Sequence, residues 1–169
     1  MSEKFEKIVN LTQHVATLEQ VSEGVIDLPG GEGSYREALI KDLTFENLPK
    51  YQSEVTRKAQ EIARLVIQYL YDQKIDPKKE KVFAMIGGAP YLMAPLEKAL
   101  LQMNIMPIYS FSVRKSIEKV INRVVEKSSI FSHVGWIYGD SPALFWSEFS
   151  SLPLNEYDDI ETRGEFGGF

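Results

Sequence analysis

The sequence predicts one α/β domain with a mainly parallel sheet, from the order of its apolar segments and from its length. Short apolar, β-branched runs alternate with segments whose apolar residues recur at helical spacing. Strands that alternate with helices usually pair in parallel through right-handed crossover connections. The 169 residues fit one domain with an appended arm, and a hydrophobic content of 44% is ordinary for a globular protein.

The first half of the chain predicts two short strands and three helices. In chain order, these are a strand at 7–11, a helix at 18–22, a strand at 25–28, a helix at 34–43 and a long helix from about Leu48 to Gln73. Thr17 and Ser34 have side chains that cap helix N-termini. The long helix is the clearest element, because its apolar residues form one stripe at helical spacing. Residues 38–45 could instead be extended.

The second half predicts two buried strands around a helix, followed by more β structure. In chain order, these are a strand at 82–86, a break at 87–90, a helix marked by apolar residues from 92 to 103, a strand at 106–111 and a last strand at 133–138. Pro95 leaves the start of the helix open, because proline fits best in a first turn. Residues 116–131 fit a helical stripe or a hairpin around Asn122-Arg123, and their β-branched content favours the hairpin.

The negative charge is concentrated near the C-terminus. Residues 140–169 contain seven acidic residues and one arginine, so residues 1–139 carry about +1 within the formal net charge of −5. A near-neutral body argues against a broad surface for duplex nucleic acid. We therefore divide the chain into an α/β domain at 1–139 and an acidic aromatic arm at 140–169. The aromatic residues of this arm could dock on a partner subunit, so a structural or interaction protein is a further class of function. These residues are Phe145, Trp146 and Phe149.

Composition removes several kinds of chemistry. The chain has no cysteine, so disulfides, thiolate nucleophiles and sulfur metal ligands are excluded. Its carboxylates and histidines show no metal-ligand spacing, and we expect neither a metal nor a cofactor. The N-terminal residues lack a secretory pattern, and no apolar run approaches the roughly 20 residues of a membrane span. We therefore expect a cytoplasmic protein with no membrane partner.

Polar or glycine-rich segments follow three of the predicted strands. These segments are Thr12 to His14, Gly87 to Pro90 and Ser110 to Arg114. Because the carboxyl ends of parallel strands share one edge of a sheet, we expect the three segments to line one crevice. His133 lies among apolar residues of a predicted strand, and we interpret it as structural.

Each segment offers groups that suit a phosphorylated ligand. Gly87 and Gly88 precede a helix, where backbone N–H groups can approach a phosphate, although a tight turn explains them equally well. Arg114 offers a planar fork that matches phosphate, or it is simply solvated. His14 can move a proton near neutral pH, or it caps local backbone. Tyr91 could stack on a base or lie half-buried.

Parts of the sequence resemble a known family. Residues 10–20 and 24–27, with the strand–Gly–Pro–helix–strand unit at 85–112, resemble the small CRISPR-associated ring nucleases and their Rossmann-like nucleotide-sensing relatives. They are also similar to uncharacterised prophage-encoded proteins of like layout. The likeness covers residues 7–28 and 82–116, about a third of the chain.

The resemblance implies a Rossmann-like fold that binds a cyclic oligoadenylate second messenger in the cleft of a homodimer, and it leaves open whether the ligand is cleaved. Cleavage in that family needs no metal, because a ribose 2′-hydroxyl attacks the neighbouring phosphate and leaves a 2′,3′-cyclic phosphate. An alternative is a non-catalytic phage or host-defence module that sequesters a nucleotide or binds a protein.

The family's site transfers onto matching positions of this sequence. His14 would orient or deprotonate the hydroxyl, and Ser112 and Arg114 would hold the phosphate and its developing charge. The remaining ligand contacts would come from Thr12, Gln13, Gly87, Gly88, Ala89, Tyr91 and Ser110.

Overall fold

The computed structural model describes residues 7–139, which form nine elements of secondary structure. In chain order they are β1 (Ile8–Leu11), α1 (Leu18–Ser22), β2 (Val25–Asp27), α2 (Tyr35–Leu43), α3 (Gln52–Asp72), β3 (Val82–Ile86), α4 (Pro90–Gln102), β4 (Ile105–Ile121) and β5 (Val124–Tyr138). The predicted acidic arm at 140–169 lies outside the described residues.

The strands form one sheet in the order β2-β1-β3-β4-β5. The first four run parallel, and β5 pairs antiparallel with β4. This arrangement confirms the predicted Rossmann-like α/β fold with a mainly parallel sheet. The chain leaves β1 towards one edge and then crosses back to β3, so the strand order reverses between β1 and β3. In such sheets this reversal opens a crevice at the carboxyl ends of the two strands.

Two apolar clusters fix the helices onto the sheet. The larger cluster lies between one sheet face and α2, α3 and α4, and it includes the predicted α3 stripe. The buried residues of that stripe are Val55, Ala59, Ile62, Ala63, Val66 and Leu70. The smaller cluster joins Ile8, Met85 and Ile108 to Ala16, next to α1, and to Trp136 of β5. Burial of one large aliphatic side chain contributes about 1.5–3 kcal/mol, so the larger cluster dominates the stability of the fold.

Side-chain caps define the two short helices as predicted. The Thr17 hydroxyl accepts from the backbone N–H of Gln20, and the Gln20 side chain accepts from the N–H of Thr17, which is a complete capping box. Ser34 accepts from the N–H of Glu37 at the start of α2. That helix continues to Leu43, so the extended alternative for residues 38–45 is wrong.

Three prolines shape the longer helices. The predicted start of α3 at Leu48 is wrong, because the helix begins at Gln52. Leu48 precedes Pro49, whose ring disfavours helical backbone in the residue before it. In α4 the first residue is Pro90, where no hydrogen bond is lost, and Pro95 lies inside the helix. The chain therefore accepts Pro95 at the loss of one backbone hydrogen bond.

Residues 116–131 form the predicted hairpin and not the helical alternative. The turn is at Asn122 (φ 50°) and Arg123 (φ 64°), and two positive φ values are typical of a type I′ turn. The expected last strand at 133–138 is not separate, since it is the C-terminal part of β5. Pairing of β3 with β4 ends at Met85 and Ile108, so most of the hairpin extends beyond the parallel sheet. We call residues 112–132 the hairpin arm.

Candidate functional site

The three predicted strand-end segments meet at the carboxyl edge of the sheet, where the strand order reverses. Gly87 lies beside Thr12, because a Cβ added to Gly87 would be 3.5 Å from Thr12 Cγ2. The segments border one crevice of ≈ 710 Å³. It is lined by Thr12, Gln13, His14, Val15, Thr17, Gln20, Leu43, Met85, Ile86, Gly87, Gly88, Ala89, Tyr91, Tyr109 and Ser110. We call it the rim crevice.

Most of the predicted site residues border the rim crevice, and two do not. The residues at its lining are Thr12, Gln13, His14, Gly87, Gly88, Ala89, Tyr91 and Ser110. Ser112 lies two residues further along β4, with its Oγ 3.3 Å from the Oγ of Ser110. Arg114 is on the hairpin arm, paired with Phe131 and exposed, and it is not a lining residue.

A buried asparagine holds the loop that forms one wall of the crevice. Asn10 Nδ2 donates to the carbonyl of His14 (2.8 Å) and to Asp27 Oδ1 (2.6 Å). Its Oδ1 accepts from the backbone N–H and the hydroxyl of Thr12. The Asp27 carboxylate also accepts from the N–H of Ala16, so both ends of the loop are fixed to neighbouring strands.

The outer side of the same loop is held by an arginine. Arg36 of α2 donates from Nη2 to the carbonyl of Gln13 at 2.9 Å. The side chain of His14 is exposed at the crevice, while its carbonyl accepts from Asn10 Nδ2. The loop backbone is therefore fixed, and the imidazole is presented to the crevice.

The opposite wall is the start of α4. Its N-cap residue is Ala89, which has no side-chain acceptor for the first N–H groups of the helix. Gly88 has a φ of 142°, which favours glycine. Tyr91 is 53% exposed, and its ring meets the edge of Phe45 at a centroid distance of 5.4 Å. This wall offers an uncapped helix N-terminus and an exposed aromatic ring.

Tyr109 occupies the floor of the crevice as a protonated phenol. Its hydroxyl donates to Glu97 Oε1 of α4. Burial, with the hydrogen bond and charge of Glu97, raises the pKa of Tyr109 well above the usual value. The phenol is therefore a poor candidate for acid–base chemistry at neutral pH.

A second network lies behind Ser110. Ser110 Oγ is 2.6 Å from His133 Nδ1 and accepts from Gln20 Nε2 at 3.0 Å. On the far side of the imidazole, Glu23 Oε2 is 3.4 Å from His133 Nε2 and accepts from Trp136 Nε1 at 2.6 Å. The His133 side chain is 1% exposed, so its two ring nitrogens are turned towards protein groups.

A β-bulge brings this network together. The pairing runs Phe111 to Gly135 and then Ser112 to His133, so Val134 is an extra residue on β5. Without the bulge, a regular strand with two residues between His133 and Trp136 would turn these two side chains to opposite sheet faces. With it, His133 lies on the same face as Ser110.

Sequence reasoning missed several residues that build the crevice. These are Asn10, Gln20, Glu23, Asp27, Arg36 and His133 in its hydrogen-bonded role. The spacing of Thr17 and Gln20 as a capping box could have indicated Gln20, because that pattern fixes both side chains. The other contacts join residues far apart in the chain, and no local pattern indicates them.

The electrostatic character of the rim crevice is close to neutral. Among residues 7–139, those that line it include no lysine, arginine or acidic residue. Within residues 7–139, no three histidine or carboxylate groups are placed to hold a metal ion. None of the described helices is long and apolar enough to cross a membrane. Anion binding there would depend on backbone and neutral side-chain donors.

Comparison with known proteins finds a family whose model matches most of the chain. The model of the Uncharacterized protein MJ1673 family matches residues 6–137. No curated protein and no solved structure matches the chain. The matched range covers β1 through all but the last residue of β5, and it stops before the acidic arm.

Proposed function

The chain belongs to the Uncharacterized protein MJ1673 family, and we propose that it binds a cyclic oligoadenylate-type nucleotide in the rim crevice. The observation that carries the proposal is the convergence of three strand-end segments on one crevice where the strand order reverses. Ligands of open α/β sheets bind at this place.

The walls of the crevice suit the two parts of a nucleotide. A phosphate can accept from the N–H groups at the uncapped start of α4, and Gly88 lets the backbone approach it closely. The exposed ring of Tyr91 offers a surface on which a base can stack. His14 and Thr12 supply polar groups on the facing wall.

The size of the crevice favours a ligand shared between two copies. Its ≈ 710 Å³ is within the range of about 300–1,000 Å³ that is typical of small-molecule sites. One crevice suits a nucleotide unit, and a whole cyclic oligonucleotide would need a second crevice facing the first. The proposal therefore includes a homodimer in the cytoplasm.

Binding without cleavage is a second candidate function, and one observation favours it. The described lining has no lysine or arginine to stabilise charge that develops on a phosphate. Arg114, the predicted cation, lies on the hairpin arm. A sequestering module would leave the ligand intact, whereas a ring nuclease would yield a 2′,3′-cyclic phosphate.

The binding test is calorimetry of the full chain with cyclic tri-, tetra- and hexa-adenylate, and with linear oligoadenylate for comparison. We expect saturable binding of at least one ring. Replacing Tyr91 by alanine should remove about 1–3 kcal/mol of stacking, a rise in Kd of roughly 5- to 150-fold. The matched control is Tyr71→Ala on α3, since Tyr71 is 56% exposed and is not a lining residue. Failure of every ring to bind would rule out the proposal.

The same samples decide between cleavage and sequestration. Bound ligand is recovered after denaturation in EDTA and identified by mass spectrometry. A shortened product that disappears in His14→Ala or Arg114→Ala supports ring cleavage. Intact ligand after many hours supports sequestration.

A further inference from the structure

We infer that Ser110 is a nucleophilic serine, activated by His133 and Glu23, which attacks a carboxylic ester held in the rim crevice. The inference does not depend on nucleotide binding. It rests on the Ser110 Oγ–His133 Nδ1 distance of 2.6 Å, the His133 Nε2–Glu23 Oε2 distance of 3.4 Å and the position of Ser110 at the crevice. A serine, a base and a group that orients the base define the arrangement used in covalent catalysis.

The hydrogen bonds fix which nitrogen of His133 can act as the base. A carboxylate only accepts hydrogen bonds, and Glu23 Oε2 already accepts from Trp136 Nε1. The facing His133 Nε2 therefore carries the hydrogen of the neutral imidazole. Nδ1 is left as an acceptor, and the group at 2.6 Å from it is the Ser110 hydroxyl.

Gln20 completes the surroundings of the serine. Its Oε1 accepts from the N–H of Thr17 in the capping box, so its Nε2 is the atom directed at Ser110 Oγ. This amide donates to the serine oxygen and leaves the serine hydrogen free to point at His133. The two contacts therefore hold the serine oxygen in place beside the imidazole.

Access and lining also suit an ester. Ser110 and Gln20 both border the crevice, whereas the His133 side chain is 1% exposed and shielded from solvent. The described lining contains apolar side chains and no lysine, arginine or carboxylate, which suits a neutral acyl group. These residues are Val15, Leu43, Met85, Ile86 and Ala89.

The reaction balances with water as the second substrate. Ser110 Oγ attacks the carbonyl carbon, its proton moves to His133 Nδ1, and the carbonyl electrons move onto oxygen. When these electrons return, the alcohol leaves with the proton from Nδ1, and an acyl-serine remains. Water then attacks the acyl carbon and gives its proton to Nδ1. The acid leaves, and Ser110 recovers its proton.

The test is labelling of the full chain with diisopropyl fluorophosphate, read by intact mass and peptide mapping. We expect one adduct on Ser110 and none in Ser110→Ala. The matched control is Ser116→Ala, because Ser116 is an exposed serine on the same face of β4. His133→Gln should slow labelling by about 10²- to 10⁴-fold, and Glu23→Gln should slow it as well. The rates at which the native chain and these variants hydrolyse p-nitrophenyl butyrate should rank in the same order as their rates of labelling.

A cysteine variant separates chemistry from folding. The thiol of the single variant Ser110→Cys should react with iodoacetamide faster than the same thiol in the double variant Ser110→Cys, His133→Gln. Circular dichroism checks that both variants are folded. No adduct on Ser110 in the native chain would overturn the inference. An unchanged rate of labelling in His133→Gln would also overturn it, because the imidazole would then only be a hydrogen-bond partner of the serine hydroxyl. Either result leaves the nucleotide titrations unaffected, so the two proposals fail separately.

Discussion

Replacement of Asn10 by alanine should remove about 4 kcal/mol of unfolding free energy. The side chain is buried and makes four hydrogen bonds, two as donor and two as acceptor. A single such bond contributes about 0.5–1.5 kcal/mol net, and bonds to a charged group contribute more. One of the four joins Asn10 to the Asp27 carboxylate. At about 2–4 °C for each kcal/mol, the expected fall in Tm is roughly 10 °C.

Urea denaturation followed by circular dichroism measures this loss. The exposed Asn47→Ala serves as a control, and its unfolding free energy should change by less than about 0.5 kcal/mol. The reasoning predicts a further effect for Asn10→Asp, which keeps the size but loses both donors and faces the Asp27 carboxylate. Asn10→Asp should be less stable than Asn10→Ala at neutral pH, and it should regain stability in acid, where the new carboxyl is protonated and can donate a hydrogen bond.

The assay has a clear refuting result. If Asn10→Ala loses less than about 1 kcal/mol, the four contacts do not hold the loop, and the wall of the rim crevice is not built as described. If the loss is as large as expected, nucleotide affinity should fall with it, because the Thr12 to Ala16 loop would no longer be fixed. Affinity that is unchanged in a destabilised variant would place the ligand elsewhere.

Four other predictions follow from the structure. Gly88→Ala should cost about 1–3 kcal/mol of stability, measured by thermal unfolding, because the φ of 142° disfavours a side chain. Arg123→Gly should stabilise the type I′ turn by about 1 kcal/mol and slow amide hydrogen exchange in the hairpin arm. Burial raises the pKa of Asp42, and the charge of Lys58 offsets part of this. Because the pKa is raised in the folded state, the free energy of unfolding falls as pH rises through that pKa. Asp42→Asn should therefore raise the free energy of unfolding at pH 7 by less than about 1 kcal/mol, seen as a slightly higher Tm, and should show no gain near pH 3. Light scattering should give about twice the chain mass of 19.3 kDa if the proposed homodimer forms, and a monomer at every concentration would contradict it.

The order of strands and helices could be predicted because it depends on local patterns. The α3 stripe, the Thr17 and Ser34 caps and the β-branched hairpin each determine their own segment. Local patterns also placed the strand ends, and parallel pairing then brought Thr12 and Gly87 to one edge. The predicted start of α3 at Leu48 is wrong because apolar spacing alone does not include the restriction that Pro49 imposes on Leu48.

The inner part of the site could not be predicted, since it depends on registers between distant strands. His133 was interpreted as structural from its apolar neighbours, and it is indeed buried. Its contact with Ser110 requires the bulge that accommodates Val134, which no pattern in the sequence indicates. Arg114 was expected at the crevice because it follows a strand, but β4 continues to Ile121 and carries it onto the hairpin arm.

The extra residue in β5 makes the serine–histidine pair depend on whether an odd or even number of residues separates His133 from Trp136. Trp136 is anchored in the smaller apolar cluster, and an in-frame loss of the Val134 codon would leave only Gly135 between it and His133. A regular ladder would then still hold both side chains on the face of Ser110. A strand that kept Val134 but paired without the bulge would turn the imidazole to the opposite face and leave the serine without a base beside it.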